Sequence, residues 1–107
     1  MSDHVKQISE GEFQATIKEG LVLIDFYADW CGPCRMVTPV LETVAKELDG
    51  KAKIAKIDVD HAQQVASRYQ VTSIPTLVLF KDGVEVGRIV GVKNAQAVKD
   101  FIFSEGK

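Results

Sequence analysis

Leu21-Val22-Leu23-Ile24-Asp25-Phe26-Tyr27-Ala28-Asp29-Trp30-Cys31-Gly32-Pro33-Cys34 decides how the rest of the chain is read. Leu21 to Ala28 is nearly continuous in apolar residues, the pattern of a central strand covered on both faces. The stretch then delivers both of the chain's 2 cysteines to the point where a helical pattern opens. Two thiols at this spacing can close into a small disulfide ring and reopen, and beside a βαβ pattern they read as a redox motif. A staple meant for stability would close a longer loop, since chain-entropy arithmetic for so small a ring gives only about 2 kcal/mol. Structural zinc normally takes four ligands, and only the remote His4 and His61 could supplement the thiols. Iron–sulfur ligation by one chain fails on the same count. No metal is expected.

Composition sets the outer bounds. A chain of 107 residues with 46% hydrophobic and 26% charged content reads as one ordinary soluble domain, residues 1–107, with a real core. A formal charge of −2 gives no reason to expect nucleic acid or an anionic membrane. The start, Met1-Ser2-Asp3-His4, lacks the basic-then-apolar plan of a secretory signal. The longest apolar run falls far short of the roughly 20 residues of a membrane span. A cytosolic, monomeric protein is expected.

Outward from the cysteines, apolar residues recur at helical spacing through Met36, Val37, Val40, Leu41, Val44, Ala45 and Leu48. Met36 is assigned to the core of this helix and Arg35 to its surface. Pro39 removes one backbone bond and should kink it, and Asp49-Gly50 ends it. Upstream, Val5 to Ile8 reads as a short strand. Ser9 and Glu12 have capping-box spacing, with Ile8 and Phe13 at the staple positions, before a short helix that Gly20 stops. Downstream, Ala52 to Val59 reads as a buried strand, and Asp60 with Gln63 as the cap of a short helix through Tyr69. Thr76 to Phe80 is a further buried strand. Asp82-Gly83 is a hairpin signal leading into Val84–Val90, where the alternation slips near Gly87 and suggests a bulge. Asn94 caps a last helix with Val98, Phe101 and Ile102 on one face, fraying from Ser104. The order βαβαβαββα predicts an α/β fold, a mixed five-stranded sheet flanked by four helices.

The chemistry follows from position. Only a thiolate attacks a disulfide, and Cys31 lies where backbone N–H groups and the helix dipole favour negative charge. Its pKa should fall toward about 7, the value typical of this motif type. Cys34 lies about one helical turn on, so Cys31 is assigned as nucleophile and Cys34 as resolving cysteine. Gly32 lets a substrate backbone approach, and Pro33 suits the first turn of a helix. Asp25 is an acid inside an apolar strand, where burial should raise its pKa. By alternation it shares a face with Leu21, Leu23 and Tyr27, while Lys56 shares one with Ala52 and Ile54. If these strands are neighbours, the pair lies beneath the cysteines, either as proton-transfer machinery or as a structural ion pair. His61 reads as a solvated surface residue.

The run Asp25-Phe26-Tyr27-Ala28-Asp29-Trp30-Cys31-Gly32-Pro33-Cys34, with Ser73-Ile74-Pro75-Thr76 downstream, closely resembles the thioredoxin family, whose fold has the same element order. Gly-Pro between the cysteines is similar to thioredoxins rather than to disulfide isomerases, the strong periplasmic oxidant or glutaredoxins. The resemblance implies a protein-disulfide reductase with no bound cofactor. A separate thioredoxin reductase, usually a flavoprotein drawing on NADPH, would restore it, and disulfide-containing proteins would be its clients. It further implies that Asp25 relays protons for Cys34 while Lys56 tunes it, and that Pro75 is cis and packs against the cysteines. Ile74 would then pair with an extended substrate through its main chain. Trp30, Val90 and Gly91 would complete an apolar rim, against the plainer reading of Val90 and Gly91 as an ordinary strand end and turn. One departure is Tyr27, where many members carry a second tryptophan.

Two rival functions share these residues. An oxidase or isomerase would use the same sulfurs at a higher potential, and Gly32-Pro33 argues against it. A non-catalytic binding module would survive replacement of both cysteines by serine, whereas a reductase would not.

Overall fold

The computed structural model describes residues 4–107. In chain order it runs β1 (Val5–Gln7), a 3-10 turn (Glu10–Glu12), α1 (Phe13–Ile17), β2 (Leu21–Tyr27) and α2 (Gly32–Glu47). Then come β3 (Lys53–Asp58), a second 3-10 turn (Val59–His61), α3 (Gln63–Arg68), β4 (Thr76–Lys81), β5 (Val84–Val90) and α4 (Ala95–Glu105). Among the described residues one sheet of five strands has the order β1-β3-β2-β4-β5. β1 and β2 both run parallel to β3, and β4 is antiparallel to both β2 and β5. This is the mixed α/β sheet the pattern predicts, with β2 at its centre.

Two apolar layers enclose the sheet. On one face, Leu23, Ile54, Leu77 and Leu79 pack with Val37, Leu41 and Val44 of α2 and Val98 and Ile102 of α4. On the other, Val22, Ile24, Phe26, Val78 and Phe80 pack with Phe13 and Ile17 of α1 and Val65 of α3. Phe13 is the hub of the second layer, its ring within 5.4 to 6.2 Å of those of Tyr69, Phe80 and Phe26. Burial of these rings in tilted and edge-on contact, complete for the three phenylalanines, is a large stabilising term.

The turns obey their local chemistry. Asp82 and Gly83 both have positive φ, 51° and 88°, as a two-residue hairpin turn with the right twist requires. The Asp82 carboxylate also accepts the Gly20 N–H at 2.8 Å, tying this turn to the entry of β2. The slip near Gly87 is a bulge: pairing passes from Leu79–Gly87 to Phe80–Glu85, leaving Val86 as the extra residue. Glu12 reaches back to the Ser9 N–H at 2.9 Å, as the capping spacing predicts.

Three expectations are corrected. Met36 is 63% exposed rather than core. The buried stripe of α2 runs through Cys34, Val37, Leu41, Val44 and Ala45, and Met36 points about 100° away from Val37. Asp60 does not cap α3. Asp58 caps the turn before it, accepting the Asp60 N–H at 2.9 Å, and the Val65 N–H of α3 is taken by distant Glu10 at 2.9 Å. α4 continues through Ser104 to Glu105 instead of fraying. Its end is clamped at Gly106, where a Cβ would lie 2.6 Å from the Ile102 carbonyl oxygen and 2.8 Å from a Leu21 methyl.

Candidate active site

The site forms where β2 ends and α2 begins. Cys31 is the N-cap of α2, with extended backbone (φ −87°, ψ 112°), and Pro33 occupies the first turn. The Cys34 N–H donates to the Cys31 sulfur at 3.2 Å. An N-cap side chain normally offers an oxygen to this N–H, and here a sulfur takes that role. Cys31 and Cys34 are joined as a disulfide with Cα atoms 5.3 Å apart. That same N–H, with the dipole of a 16-residue helix behind it, favours negative charge on Cys31 once the bond is opened.

Exposure does not separate the sulfurs, since Cys31 is 4% and Cys34 3% exposed. Their surroundings do. The Cys31 sulfur lies 4.0 Å from the Ile74 carbonyl oxygen, on the side of exposed Trp30, Gly32 and Pro33. Cys34 faces inward, lining a cleft of about 130 Å³ with Tyr27, Ala28, Asp29, Arg35, Thr38 and Lys56. A Cβ built at Gly32 would meet nothing within 4 Å, so packing within the fold does not explain glycine there.

Asp25 is 1% exposed and in register with Lys56 on β3 and Leu77 on β4. The expected strand adjacency is therefore present. Burial pushes the Asp25 carboxyl up to about 7, against a partial downward pull from the Lys56 charge. Its Oδ1 has no hydrogen-bond partner. The expected alternative of a structural ion pair is not formed: no Asp25–Lys56 contact appears among the ion pairs of the described residues. The Lys56 ammonium instead stands 5.1 Å from the centroid of the Tyr27 ring. The Tyr27 hydroxyl is pushed up to about 12, by burial first and then by Asp58, Asp29 and Asp25.

The remaining residues gather beside Cys31. The Ile74–Pro75 peptide is cis. The Gly91 N–H donates to the Pro75 carbonyl at 2.9 Å, and Thr76 pairs with Val90, which joins the end of β5 to this loop. Trp30 is 68% and Val90 50% exposed. Trp30 is held by an Nε1–H donation to Asp60 Oδ2 at 2.9 Å. Sequence reasoning missed that anchor, because strand and helix periodicities say nothing about a carboxylate thirty residues away in a turn. It also missed the Arg35 guanidinium, which donates to the Asp29 carbonyl at 2.7 Å across the cleft mouth. His61 is solvated as expected, with Nδ1 3.2 Å from Asp58 Oδ2. Among the described residues no three side chains are grouped to hold a metal ion. No helix among them is long and apolar enough to cross a membrane.

Comparison with known proteins agrees with this geometry. The family model for thioredoxin matches residues 4–104. The thioredoxin of Chlamydia pneumoniae is 52% identical over 98 residues, covering 92% of this chain and 95% of that protein. That of Staphylococcus epidermidis is 48% identical over the same length, covering 92% and 94%. A mutant thioredoxin from Halobacterium salinarum superposes with a TM-score of 0.89 at 45% identity, covering 100% of this chain and 96% of its own. With a Cys-Gly-Pro-Cys disulfide at the head of its central helix, the chain belongs to the thioredoxin family of protein-disulfide oxidoreductases.

Proposed function

We propose that this protein works as a disulfide reductase, with Cys31 as nucleophile and Cys34 as resolving cysteine. The observation that carries this direction is the Cys31 sulfur seated at the N-cap of α2 and accepting the Cys34 N–H. An N–H already aimed at the sulfur stabilises a thiolate without reorganisation. The Cys31 thiolate attacks one sulfur of a client disulfide, forming a mixed disulfide and expelling the other client sulfur as a thiolate that takes a proton. Cys34 then gives up its proton and attacks the Cys31 sulfur. The second client thiol leaves, and the Cys31–Cys34 disulfide remains. Two electrons and two protons have passed to the client.

Asp25 is suited to take the Cys34 proton, because a carboxyl titrating near 7 both accepts and releases protons at neutral pH. Lys56 tunes it through its charge. On the client side, Trp30, Gly32, Pro33, Val90 and Gly91 form the apolar rim, and the Ile74 main chain beside cis Pro75 pairs with an extended segment. Restoring the dithiol needs an outside reductant, a flavoprotein thioredoxin reductase fed by NADPH, with no cofactor bound to this chain. A monomer acting in the cytoplasm on many client proteins completes the reading.

The test is Cys34→Ser. With a protein disulfide as substrate, it should accumulate one stoichiometric mixed disulfide through Cys31, visible by intact mass and cleared by dithiothreitol. Release of both client thiols at the wild-type rate would contradict the assigned roles.

A further inference from the structure

The Lys56 ammonium has nearby carboxylates and contacts none of them. Asp25 is directly across in register, Asp58 lies two residues along the same strand, and Asp29 lines the same cleft. No ion pair of the described residues involves Lys56. Its Nζ sits over the Tyr27 ring at 5.1 Å, within the range of a cation–π contact. Asp58 and Arg35 are engaged elsewhere. Asp58 Oδ1 accepts the Asp60 N–H and its Oδ2 faces His61, while Arg35 is held by the Asp29 carbonyl. On the far side Asp25 is in register with apolar Leu77 of β4, and from α2 the cleft receives Cys34, Arg35 and Thr38.

Where that ammonium stands matters for the buried acid. In contact with Asp25 it would hold the carboxylate ionised at neutral pH, and a permanently ionised group cannot exchange a proton. Removed altogether, it would leave a desolvated carboxyl that stays protonated too far into the alkaline range. We propose that Tyr27 is a positioning residue for proton transfer at Cys34: its ring parks the Lys56 ammonium at the cleft mouth, so that the charge acts on Asp25 without touching it. The inference deepens the relay reading of Asp25 and rests on it. The Tyr27 hydroxyl, raised to about 12, keeps the ring neutral throughout the working pH range. What matters is the aromatic face, and the hydroxyl is dispensable.

The test follows the Asp25 carboxyl directly, by its carbon chemical shift against pH in the reduced protein, beside the pH dependence of disulfide reduction. Tyr27→Phe should leave the Asp25 midpoint within a few tenths of a pH unit. Tyr27→Leu should lower it by about one unit or more, as Lys56 swings onto the acid, and carry the limb of the rate profile the same way. In a Lys56→Met background, Tyr27→Leu should move nothing further. Should Tyr27→Leu fail to fold, pentafluorophenylalanine at position 27 keeps the shape, reverses the ring's electrostatics and should lower the midpoint likewise. An unmoved midpoint in the folded ring variant, or a shift that persists without Lys56, overturns the proposal. If Asp25→Asn kept the wild-type pH profile, the relay reading would fall, and the Asp25 midpoints would still decide the claim about Tyr27.

Discussion

On the face covered by α1 and α3, β2 presents Val22, Ile24 and Phe26 to an aromatic layer built around Phe13. On the face covered by α2 and α4, alternate residues of the same strand present Leu23, then Asp25, then Tyr27 beside the cysteines. What β2 gives the first face is apolar throughout. The second carries a desolvated acid with an unpartnered oxygen. Moving its carboxyl from 3.8 to about 7 corresponds to about 4 kcal/mol of lost stability at alkaline pH. One strand with period two thus holds stability on one side and reactivity on the other. The difference teaches where substitutions should be felt.

The largest expected effect is on the reactive side. Cys31→Ser should reduce disulfide turnover to background while far-ultraviolet circular dichroism stays native, since only the proposed attacking atom is lost. Next, Phe13→Ala should destabilise the fold by about 3–5 kcal/mol in denaturant unfolding. The folded fraction should keep the wild-type Asp25 titration, because the sheet stands between them. A shifted Asp25 midpoint in that variant would break the separation of faces.

Asp25→Asn should do the reverse of Phe13→Ala, stabilising the protein by up to about 4 kcal/mol while slowing turnover. The sign follows from the raised carboxyl: its folded form binds the extra proton between 3.8 and about 7, so wild-type stability falls as pH rises through that window. The gain in Asp25→Asn should be absent below pH 3.8 and level above about pH 7, read from urea midpoints across pH. The smallest effect belongs to Asp60→Ala. Losing an exposed hydrogen bond to the Trp30 indole should cost about 1 kcal/mol or less. It should raise KM for protein clients more than it lowers kcat, with a change in Trp30 fluorescence anisotropy.

What the sequence made legible follows the same division. The near-continuous apolar run of β2, the stripe of α2 and the Asp82-Gly83 turn are local patterns with local causes, and the fold follows from them. The cysteine pair, buried Asp25 and its neighbour Lys56 were legible because each residue type is out of place or paired at a telling spacing. Asp60 against Trp30, Glu10 capping α3 from across the chain and Lys56 over Tyr27 were not legible. Each joins elements whose separation in sequence carries no periodic signal, and only tertiary packing brings them together. Met36 misled for a related reason: one position off a helical stripe, its hydrophobicity suggests burial while its angle puts it outside.

The measurement that bears most directly on the central claim is the reduction potential of the Cys31–Cys34 couple, by equilibration with a reference dithiol and read from Trp30 fluorescence. A value near about −270 mV, the general figure for thioredoxins, is expected of a protein that reduces its clients. A value near about −180 mV or above would place the couple with oxidants and isomerases and contradict the reductase account.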